Sequence, residues 1–303
     1  MSTTVISEIG VNHDGSLDTA LRLIKASAEI GADFVKFQKR TPELAEPMDR
    51  WDELRDTPWG QRMTRLDYRH RMEFTLEEFA MLQSNARMCG ISVCLSVWDL
   101  PSLEFENQLA CPWIKIPSAR VLDLELIRAT CLQAARRGAQ AVVLSTGGSD
   151  EEQVHAAVEE AMLRLGDGTP EHLPKPELWV LHCHMAYPVP DNAELNLMCI
   201  PTLAGWMYER WGDNGWRSGY SGHEYGITPT AVAVGLGAEV VERHITLDRT
   251  SPGSDHSSSL EPWVFKRLVA HIRKMDDGML GDGVKRVWAS EGQAIARLRG
   301  TDP

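Results

Sequence analysis

The chain has 303 residues, 43% of them hydrophobic, so it can bury a substantial core and falls in the size range of single-domain α/β barrels. Its 43 Asp and Glu residues outnumber its 31 Lys and Arg residues, and the net charge of -12 argues against binding to nucleic acid or to an anionic membrane surface. No apolar run approaches the roughly 20 residues of a membrane helix. The six cysteines form no CxxC pair, and the N-terminus has no signal-peptide pattern, so we expect reduced thiols in a cytoplasmic protein.

Short apolar runs alternate with longer segments of helical period, which is typical of repeated βα units around a parallel sheet. The runs predicted to be strands are 5–9, 33–37, 92–96, 113–116, 141–144, 178–182, 217–220 and 239–245. The helices predicted between them include 17–30, 75–89, 122–137, 150–165 and 262–275. Eight such units predict an α/β fold of the (β/α)8 TIM barrel type over residues 1–280.

Two segments do not fit this alternation. The first is an insert at about 42–75, after the second strand, which is rich in aromatic and basic residues: Trp51, Trp59, Arg62, Arg65, Tyr68, Arg69, His70 and Arg71. Long inserts at that end of a barrel usually cover the active site. The second is the C-terminal tail, 281–303, which is too short to form a second domain.

Polar residues follow or end all eight predicted strands. In a TIM barrel the active site is built at the C-terminal ends of the strands, so we expect these side chains to meet at one rim. They are Glu8, Lys36, Gln38, Ser96, Lys115, Ser118, Ser145, Thr146, His182, His184, Ser221, His223, Glu242 and His244.

Two of these residues, Lys36 and Lys115, lie inside apolar runs, where an ammonium group without an anion is costly to bury. A single lysine at a strand end is more often solvated or salt-bridged. Two lysines beside Ser118, Ser145 and Ser221, however, predict a pocket for a phosphate and a carboxylate. The LSTGG turn at 144–148 adds backbone N–H groups before a helix, which is a weak signal of the same kind.

His223 and His244 end adjacent predicted strands and are therefore the predicted metal pair, with coordination positions left for substrate. Asp255, in the loop after the last strand, either approaches the same metal or simply forms a turn. His182 and His184 lie two apart and face the same side of a strand. One of them is a possible third ligand or general acid-base, and both alternatives stay open.

Five segments resemble the N-acetylneuraminate (sialic acid) synthase family in order and spacing, over residues 5 to about 290. They are SEIGVNHDGSLDTALRLIKASAEIGADFVKFQ, LHCHMAYPVP, GYSGHEYGI, ERHITLDRTSPGSDHSSSLEP and GDGVKR. The resemblance implies condensation of phosphoenolpyruvate with a sugar aldehyde, typically an N-acylhexosamine, to give a 2-keto-3-deoxy sugar acid and phosphate. It also implies a divalent metal, Mn2+ before Mg2+ or Co2+, and a homodimer.

The resemblance assigns roles to individual residues. His223 and His244 are implied as metal ligands, and Glu8, Lys115 and Asp255 as catalytic residues, with Glu8 orienting the sugar or handling a proton. The residues implied or predicted to bind substrate are Lys36, Gln38, Ser96, Ser118, Ser145, Thr146, His184, Tyr187 and Ser221.

The sequence also departs from the family pattern. Relatives usually continue past GDGVKR into a small antifreeze-like domain that places an arginine on the sugar, and we expect no counterpart of that domain in these residues. Gly222 stands where Asp is common, and positions 97, 98, 184 and 185 also differ, which favours an altered acceptor. One hypothesis is that Arg62, Arg65, Arg69 or Arg71 meets an acidic or phosphorylated acceptor. We favour the alternative, a solvated helix face with ion pairs.

Two other functions remain as alternatives. An aldolase on the same barrel would form a Schiff base, for which Lys115 is the one suitable strand-end lysine. A catalytically inactive barrel that binds a sugar or a partner is the other. The retention of Glu8, Lys115, His223 and His244 argues against it, because binding alone gives no reason to keep a metal pair and an anion pocket together.

Overall fold

A closed barrel of eight parallel strands forms the body of the molecule, which confirms the predicted fold. The computed structural model describes residues 2–299. Its strands are β1 (Thr4–Gly10), β2 (Phe34–Lys39), β3 (Leu54–Asp56), β4 (Arg62–Thr64), β5 (Ser92–Val97), β6 (Trp113–Ile116), β7 (Ala141–Ser145), β8 (Glu177–Cys183), β9 (Trp216–Gly222) and β10 (Val240–His244). All except β3 and β4 belong to the barrel, and each coincides with a predicted run to within two residues.

Helices follow the barrel strands and cover the outside of the barrel. They are α1 (Leu17–Glu29), α2 (Pro42–Ala45), α3 (Arg65–Met72), α4 (Leu76–Met88), α5 (Leu100–Leu109), α6 (Leu124–Arg137), α7 (Glu151–Asp167), α8 (Cys199–Trp211), α9 (Thr228–Gly235), α10 (Pro262–Lys274) and α11 (Gly292–Arg299). Within the described part of the chain, none of these helices is long and apolar enough to cross a membrane.

Local signals in the sequence set the helix ends. Ser16, Thr75 and Asp150 each accept a hydrogen bond from the backbone N–H three residues on, which caps the first turn of α1, α4 and α7. At the other end of α6, Gly138 adopts a left-handed conformation with φ of 65°. Glycine is the residue that takes this conformation without a steric cost, so the helix ends there and the chain turns into β7.

A layer of aromatic rings fills one level of the barrel interior. Phe34 on β2 contacts Trp113 on β6 with ring centroids 5.5 Å apart, and Trp113 contacts Trp179 on β8 at 6.0 Å. These strands are not neighbours in the sheet, so the rings meet across the interior. Successive side chains of a strand alternate between the two faces. Lys36 and Lys115, each two residues beyond a ring, therefore also point inward, one level closer to the C-terminal rim.

The insert after β2 is held together by its own basic residues. Arg65 and Arg69 donate to the carboxylate of Glu46 at 2.5 and 3.0 Å. The guanidinium of Arg71 lies 3.7 Å from the ring centroid of Trp59. Arg62 is exposed and lies 3.5 Å from Asp56. The four arginines of the acceptor hypothesis are thus engaged within the insert, which supports the alternative of ion pairs on a helix face.

A buried ion pair fixes β10 against the segment after β9. Arg243 donates from Nη1 to Glu224 Oε1 at 2.7 Å and to Thr230 Oγ1 at 2.9 Å, and Tyr220 donates to Glu224 Oε2 at 2.9 Å. Arg243 lies between Glu242 and His244, so its side chain points out of the barrel while theirs point in. The pair therefore fixes the strand that carries two interior polar groups.

Replacing Glu224 with Gln tests the importance of this pair. We expect Glu224→Gln to lower the free energy of unfolding by about 3–5 kcal/mol, because it leaves the Arg243 charge buried without a counterion. Urea denaturation followed by circular dichroism measures the change. Glu29→Gln, in an exposed pair 3.8 Å from Lys25, is the matched control and should change stability by less than about 1 kcal/mol. Equal effects of the two variants would contradict this account.

Candidate active site

A cavity of about 100 Å3 opens at the C-terminal ends of the strands, inside the rim of the barrel. Most of the residues that the sequence predicts for the site line this cavity. Trp98, Cys183, Met185 and Glu242 line the cavity as well. The predicted residues are Glu8, Lys36, Gln38, Ser96, Lys115, Ser118, Ser145, Tyr187, Ser221, His223 and His244. The structure thus brings together side chains that are up to 236 positions apart in the sequence.

The register of the barrel explains this convergence. Glu8 on β1 is in register with Lys36 on β2 and with His244 on β10. Glu242 on β10 is in register with Ser221 on β9. Side chains at the same level of neighbouring parallel strands point the same way, so each match places two polar groups side by side.

Two lysines and two glutamates form a buried cluster at the floor of the cavity. Lys36 Nζ lies 2.7 Å from Glu8 Oε2, and Lys115 Nζ donates to Glu242 Oε1 at 2.6 Å. Lys36 also lies 3.8 Å from Glu242, which links the two pairs. Each of the four residues is at most 3% exposed. Their opposite charges compensate one another, which is the condition for burying them.

The cluster changes the proton affinity of its members. Burial alone would raise the pKa of Glu242, but the ammonium groups of Lys115 and Lys36 outweigh it and hold the pKa below its ordinary value. Burial and then the charge of Lys36 lower the pKa of Lys115, while Glu242 opposes this decrease. Glu242 is therefore ionised, and its carboxylate opposes the loss of the Lys115 proton inside the barrel.

The two histidines lie side by side at the rim. The ring centroids of His223 and His244 are 5.4 Å apart, and the Tyr187 ring stacks on His223 at 3.7 Å. Nδ1 of His223 is 2.7 Å from the backbone oxygen of His184. A carbonyl oxygen only accepts, so Nδ1 carries the proton and Nε2 has a free lone pair. Burial and the neighbouring His244 lower the pKa of His223 to about 3, so its ring is neutral.

Asp255 approaches the histidines from the loop after β10. Its carboxylate oxygen Oδ2 lies 3.6 Å from Nδ1 of His244, and Oδ1 accepts a hydrogen bond from Ser254 at 2.6 Å. Burial raises the pKa of Asp255, but the charge of His244 and the Ser254 hydrogen bond outweigh it and lower the pKa. Within residues 2–299 no group of three or more His, Cys, Asp and Glu side chains forms a ready-made metal site.

Two predicted substrate-binding residues lie outside this cavity. Thr146 donates to the backbone oxygen of Leu181 at 3.2 Å, and Nε2 of His184 lies 3.2 Å from Glu194. Both line a neighbouring cavity of about 560 Å3, together with His182. Both residues follow the last strand residue, so the alternation of strand side chains no longer fixes their direction. His182 and His184 do face the same space, as expected, but it is not the space that His223 and His244 share.

The glycine at position 222 has a structural explanation. A Cβ atom there would overlap the carboxylate of Glu224 and crowd Tyr220 and Arg243. The buried ion pair behind β9 therefore leaves no room for a side chain. The substitution at 222 belongs to the packing of the barrel wall and says nothing about the acceptor.

Two residues at or beside the cavity have no role assigned from the sequence. The position of Glu242, two residues before His244, indicates that it too points inward. The other is Arg40, just beyond β2. Its guanidinium lies 3.9 Å from the ring centroid of Trp98 and donates from Nη2 to Gln38, two residues that line the cavity. No periodic signal in the sequence marks it.

A closed βα barrel with buried lysines and paired histidines at its C-terminal rim defines an enzyme that acts on an anionic substrate. A model of the NeuB family matches residues 23–285, and the chain belongs to this family. The N,N'-diacetyllegionaminic acid synthase of Campylobacter jejuni is 32% identical over 302 residues, which cover 98% of this chain and 83% of that protein. The N-acetylneuraminate-9-phosphate synthase of Mus musculus is 33% identical and is covered to 74%, against 95% of this chain.

Solved structures agree with this assignment. The N-acetylneuraminic acid synthetase from Leptospira borgpetersenii has a TM-score of 0.79 and 27% identity, with 99% of this chain and 94% of that chain covered. A truncated 3-deoxy-D-arabino-heptulosonate 7-phosphate synthase from Thermotoga maritima, at 12% identity and a TM-score of 0.63, shares the fold. The chain is a transferase of the sugar acid synthase class, which joins phosphoenolpyruvate to a sugar through a carbon–carbon bond.

Glu242→Gln tests the charge balance of the cluster. The variant leaves Lys115 without its carboxylate, so we expect a loss of about 3–5 kcal/mol in unfolding free energy. Phosphoenolpyruvate should recover part of this loss, since its negative charge replaces the missing one. Thermal denaturation with and without phosphoenolpyruvate measures both effects. Glu159→Gln, in an exposed pair with Arg210, serves as control. A Glu242→Gln variant as stable as the unmodified chain would contradict the charge balance.

Proposed function

We propose that this cavity condenses phosphoenolpyruvate with an N-acylhexosamine-like sugar aldehyde and that His223 and His244 hold a divalent metal for the reaction. The observation that carries the proposal is the arrangement of the four-charge cluster and the paired histidines around one cavity. A cytoplasmic location and a homodimer remain predictions from the sequence.

Phosphoenolpyruvate is assigned to the wall formed by β6, β7 and β9. Lys115 supplies the positive charge there, and Ser118, Ser145 and Ser221 supply hydroxyl groups. The Ser145 hydroxyl is buried and has no hydrogen-bond partner among the described residues. A buried hydroxyl without a partner costs about 1–3 kcal/mol, so a bound phosphate or carboxylate that accepts its hydrogen bond stabilises the site.

The side chains at the rim fit a divalent metal. Nε2 of His223 offers a lone pair, and Nδ1 of His244 is buried with no hydrogen-bond partner in residues 2–299. Imidazole nitrogens with nearby carboxylate oxygens, such as those of Asp255, suit Mn2+, and also Mg2+ or Co2+. When bound, the metal polarises the aldehyde oxygen of the acceptor and stabilises negative charge there.

Charge balance supports the metal independently. The glutamates of the cluster already neutralise Lys36 and Lys115, so the floor of the cavity carries no net charge. Phosphoenolpyruvate is a multiply charged anion, and Asp255 adds another negative charge nearby. A dication held by His223 and His244 would offset this accumulation of negative charge.

The residues then act on a reaction in which C3 of phosphoenolpyruvate attacks the aldehyde carbon. Lys115 and the serines hold the phosphoenolpyruvate, while Gln38 orients Glu8 through a hydrogen bond of 3.1 Å. The new carbon–carbon bond leaves a cation at C2, and water adds to it. Glu8 takes one proton of that water and returns it to the former aldehyde oxygen, which becomes a hydroxyl group. Phosphate then leaves with the electrons of its C2–O bond and takes up the second proton of the water, which produces the ketone.

The acceptor is expected to differ from that of sialic acid synthesis itself. Val97, Trp98 and Met185 depart from the family pattern, and Trp98 and Met185 line the cavity directly. The side chain of Met185 also packs against the backbone of Gly147 and Gly148, next to the proposed phosphate position. These changes alter the shape of the cavity while the charged groups are retained.

Phosphate release tests the proposed function. Incubation with phosphoenolpyruvate, Mn2+ and a panel of hexoses, N-acylhexosamines and shorter aldoses should release phosphate with at least one acceptor, and a chelator should abolish the release. His244→Asn is expected to lower kcat/KM by about 100-fold or more, because a metal ligand is lost. Metal analysis of the dialysed variant should show the matching loss of bound Mn2+.

His172→Asn is the control for this variant. His172 is exposed and lies in the loop between α7 and β8, at the end of the barrel opposite to the C-terminal rim. It should retain both activity and metal. No phosphate release with any acceptor in the presence of bound metal would refute the proposed function. Full metal content in His244→Asn would refute the metal assignment.

A further inference from the structure

Arg40 lies just beyond the end of β2, against two side chains that line the cavity. Its guanidinium stacks on the ring of Trp98 at 3.9 Å and donates to the side-chain oxygen of Gln38. Trp98 and Gln38 both line the cavity. Ser118, which follows β6, and Ser145, which ends β7, are assigned to phosphoenolpyruvate. Arg40 therefore contacts the wall at a place separate from these serines.

Two hydrogen-bond donors at this place have no acceptor. Nε of Arg40 and Nε1 of Trp98 are both buried, and neither has a hydrogen-bond partner in the part of the chain that the structure describes. An unpaired buried donor costs about 1–3 kcal/mol, and a charged one costs more. Both are donors only, so the group that would satisfy them is an acceptor.

The guanidinium of Arg40 also has no carboxylate at ion-pair distance in the described part of the chain. Among residues 2–299 no carboxylate lies within 4.0 Å of its guanidinium, whereas Arg65 and Arg69 contact Glu46 and Lys36 contacts Glu8. Burial, followed by the charge of Arg69, lowers the pKa of Arg40, and the more distant Asp255 and Glu73 oppose this. Arginine binds carboxylates and phosphates through paired N–H groups, and an oxyanion supplies both charge and acceptors.

We propose that Arg40 and Trp98 recognise an anionic group, a phosphate ester or a carboxylate, on the acceptor sugar. This assignment rests on the proposed function, because phosphoenolpyruvate occupies the wall with Lys115 and the serines. The insert arginines Arg62, Arg65, Arg69 and Arg71 are engaged with Asp56, Glu46 and Trp59, whereas Arg40, beside the cavity, keeps an unpaired buried donor. It selects the acceptor and does not touch the reacting atoms.

Paired acceptors test the proposal. Initial rates are measured with N-acetylmannosamine and its 6-phosphate, and with mannose and mannuronate, at saturating phosphoenolpyruvate and Mn2+. The unmodified enzyme should prefer at least one anionic sugar over its neutral partner. Arg40→Gln should lower kcat/KM for that anionic sugar by about 10- to 100-fold, the loss expected for a charged hydrogen-bonded contact, and leave the neutral sugar within about threefold.

Three further measurements sharpen this test. Arg40→Lys, which keeps the charge but not the paired N–H groups, should lose less than Arg40→Gln. Trp98→Phe removes one donor and keeps an aromatic surface, so it should weaken the anionic acceptor by a few-fold. Arg62→Gln, at an exposed arginine paired with Asp56, should behave like the unmodified enzyme.

A preference for neutral sugars, or equal losses for neutral and anionic sugars in Arg40→Gln, would overturn the proposal. So would a matching rise in the KM for phosphoenolpyruvate, which would place Arg40 in the other substrate site. If no sugar is turned over, the proposed function fails instead. Calorimetric measurement of the binding of N-acetylmannosamine 6-phosphate and of mannuronate then tests the role of Arg40 separately. The proposal is supported if either sugar binds to the unmodified enzyme and to Arg62→Gln but not to Arg40→Gln. Any other pattern overturns it.

Discussion

The pairing of Lys36 with Glu8 and of Lys115 with Glu242 is the interaction on which the rest of the site depends. Four charges inside a barrel are tolerable because each cation has a carboxylate within 2.7 Å. The aromatic layer of Phe34, Trp113 and Trp179 lies below them in the interior and fills that level of the barrel. The charges therefore stay at the level where the cavity opens to the rim.

This pairing also determines how the site responds to a ligand. Lysines that are already neutralised do not by themselves supply the net positive charge that an anionic substrate requires. Additional positive charge has to come from the rim, where His223 offers a lone pair and Arg40 offers unpaired donors. In the function we propose, the deep cluster sets the position of the substrate, and the rim groups supply the remaining charge and the selectivity.

Two structural networks outside the cavity keep the rim groups in place. Glu46 binds Arg65 and Arg69, which holds these insert arginines within the insert, while Arg40 contacts Trp98 and Gln38 of the cavity wall. The Arg243–Glu224 pair fixes β10 behind Glu242 and His244, and it explains why position 222 is glycine. The departure from the family pattern at Gly222 is thus explained by packing behind the strand. Other departures, such as Trp98, lie in the lining of the cavity.

The sequence by itself determined the eight strands, the barrel and the inward direction of Lys36, Lys115 and His244. Apolar runs of strand length, and the alternation of side chains within a strand, are local properties that can be counted along the chain. The family motifs fixed the chemistry in the same way, because they are continuous segments. Where a strand ends this local information ends too, so it does not give the directions of Thr146 and His184, which line the neighbouring cavity.

Only the tertiary structure decided which charges meet. Lys115 on β6 and Glu242 on β10 are separated by three strands and 127 positions, and they come into contact because both point into the same closed barrel. The contacts of Arg40 beside the cavity could not be predicted from the sequence for a related reason. Arg40 follows a strand, so no periodicity gives its direction, and its importance comes from what its neighbours leave unpaired. The arginines of the insert form an obvious basic cluster in the sequence. In the folded chain they contact Glu46, Asp56 and Trp59 within the insert, and the sequence alone does not show these contacts.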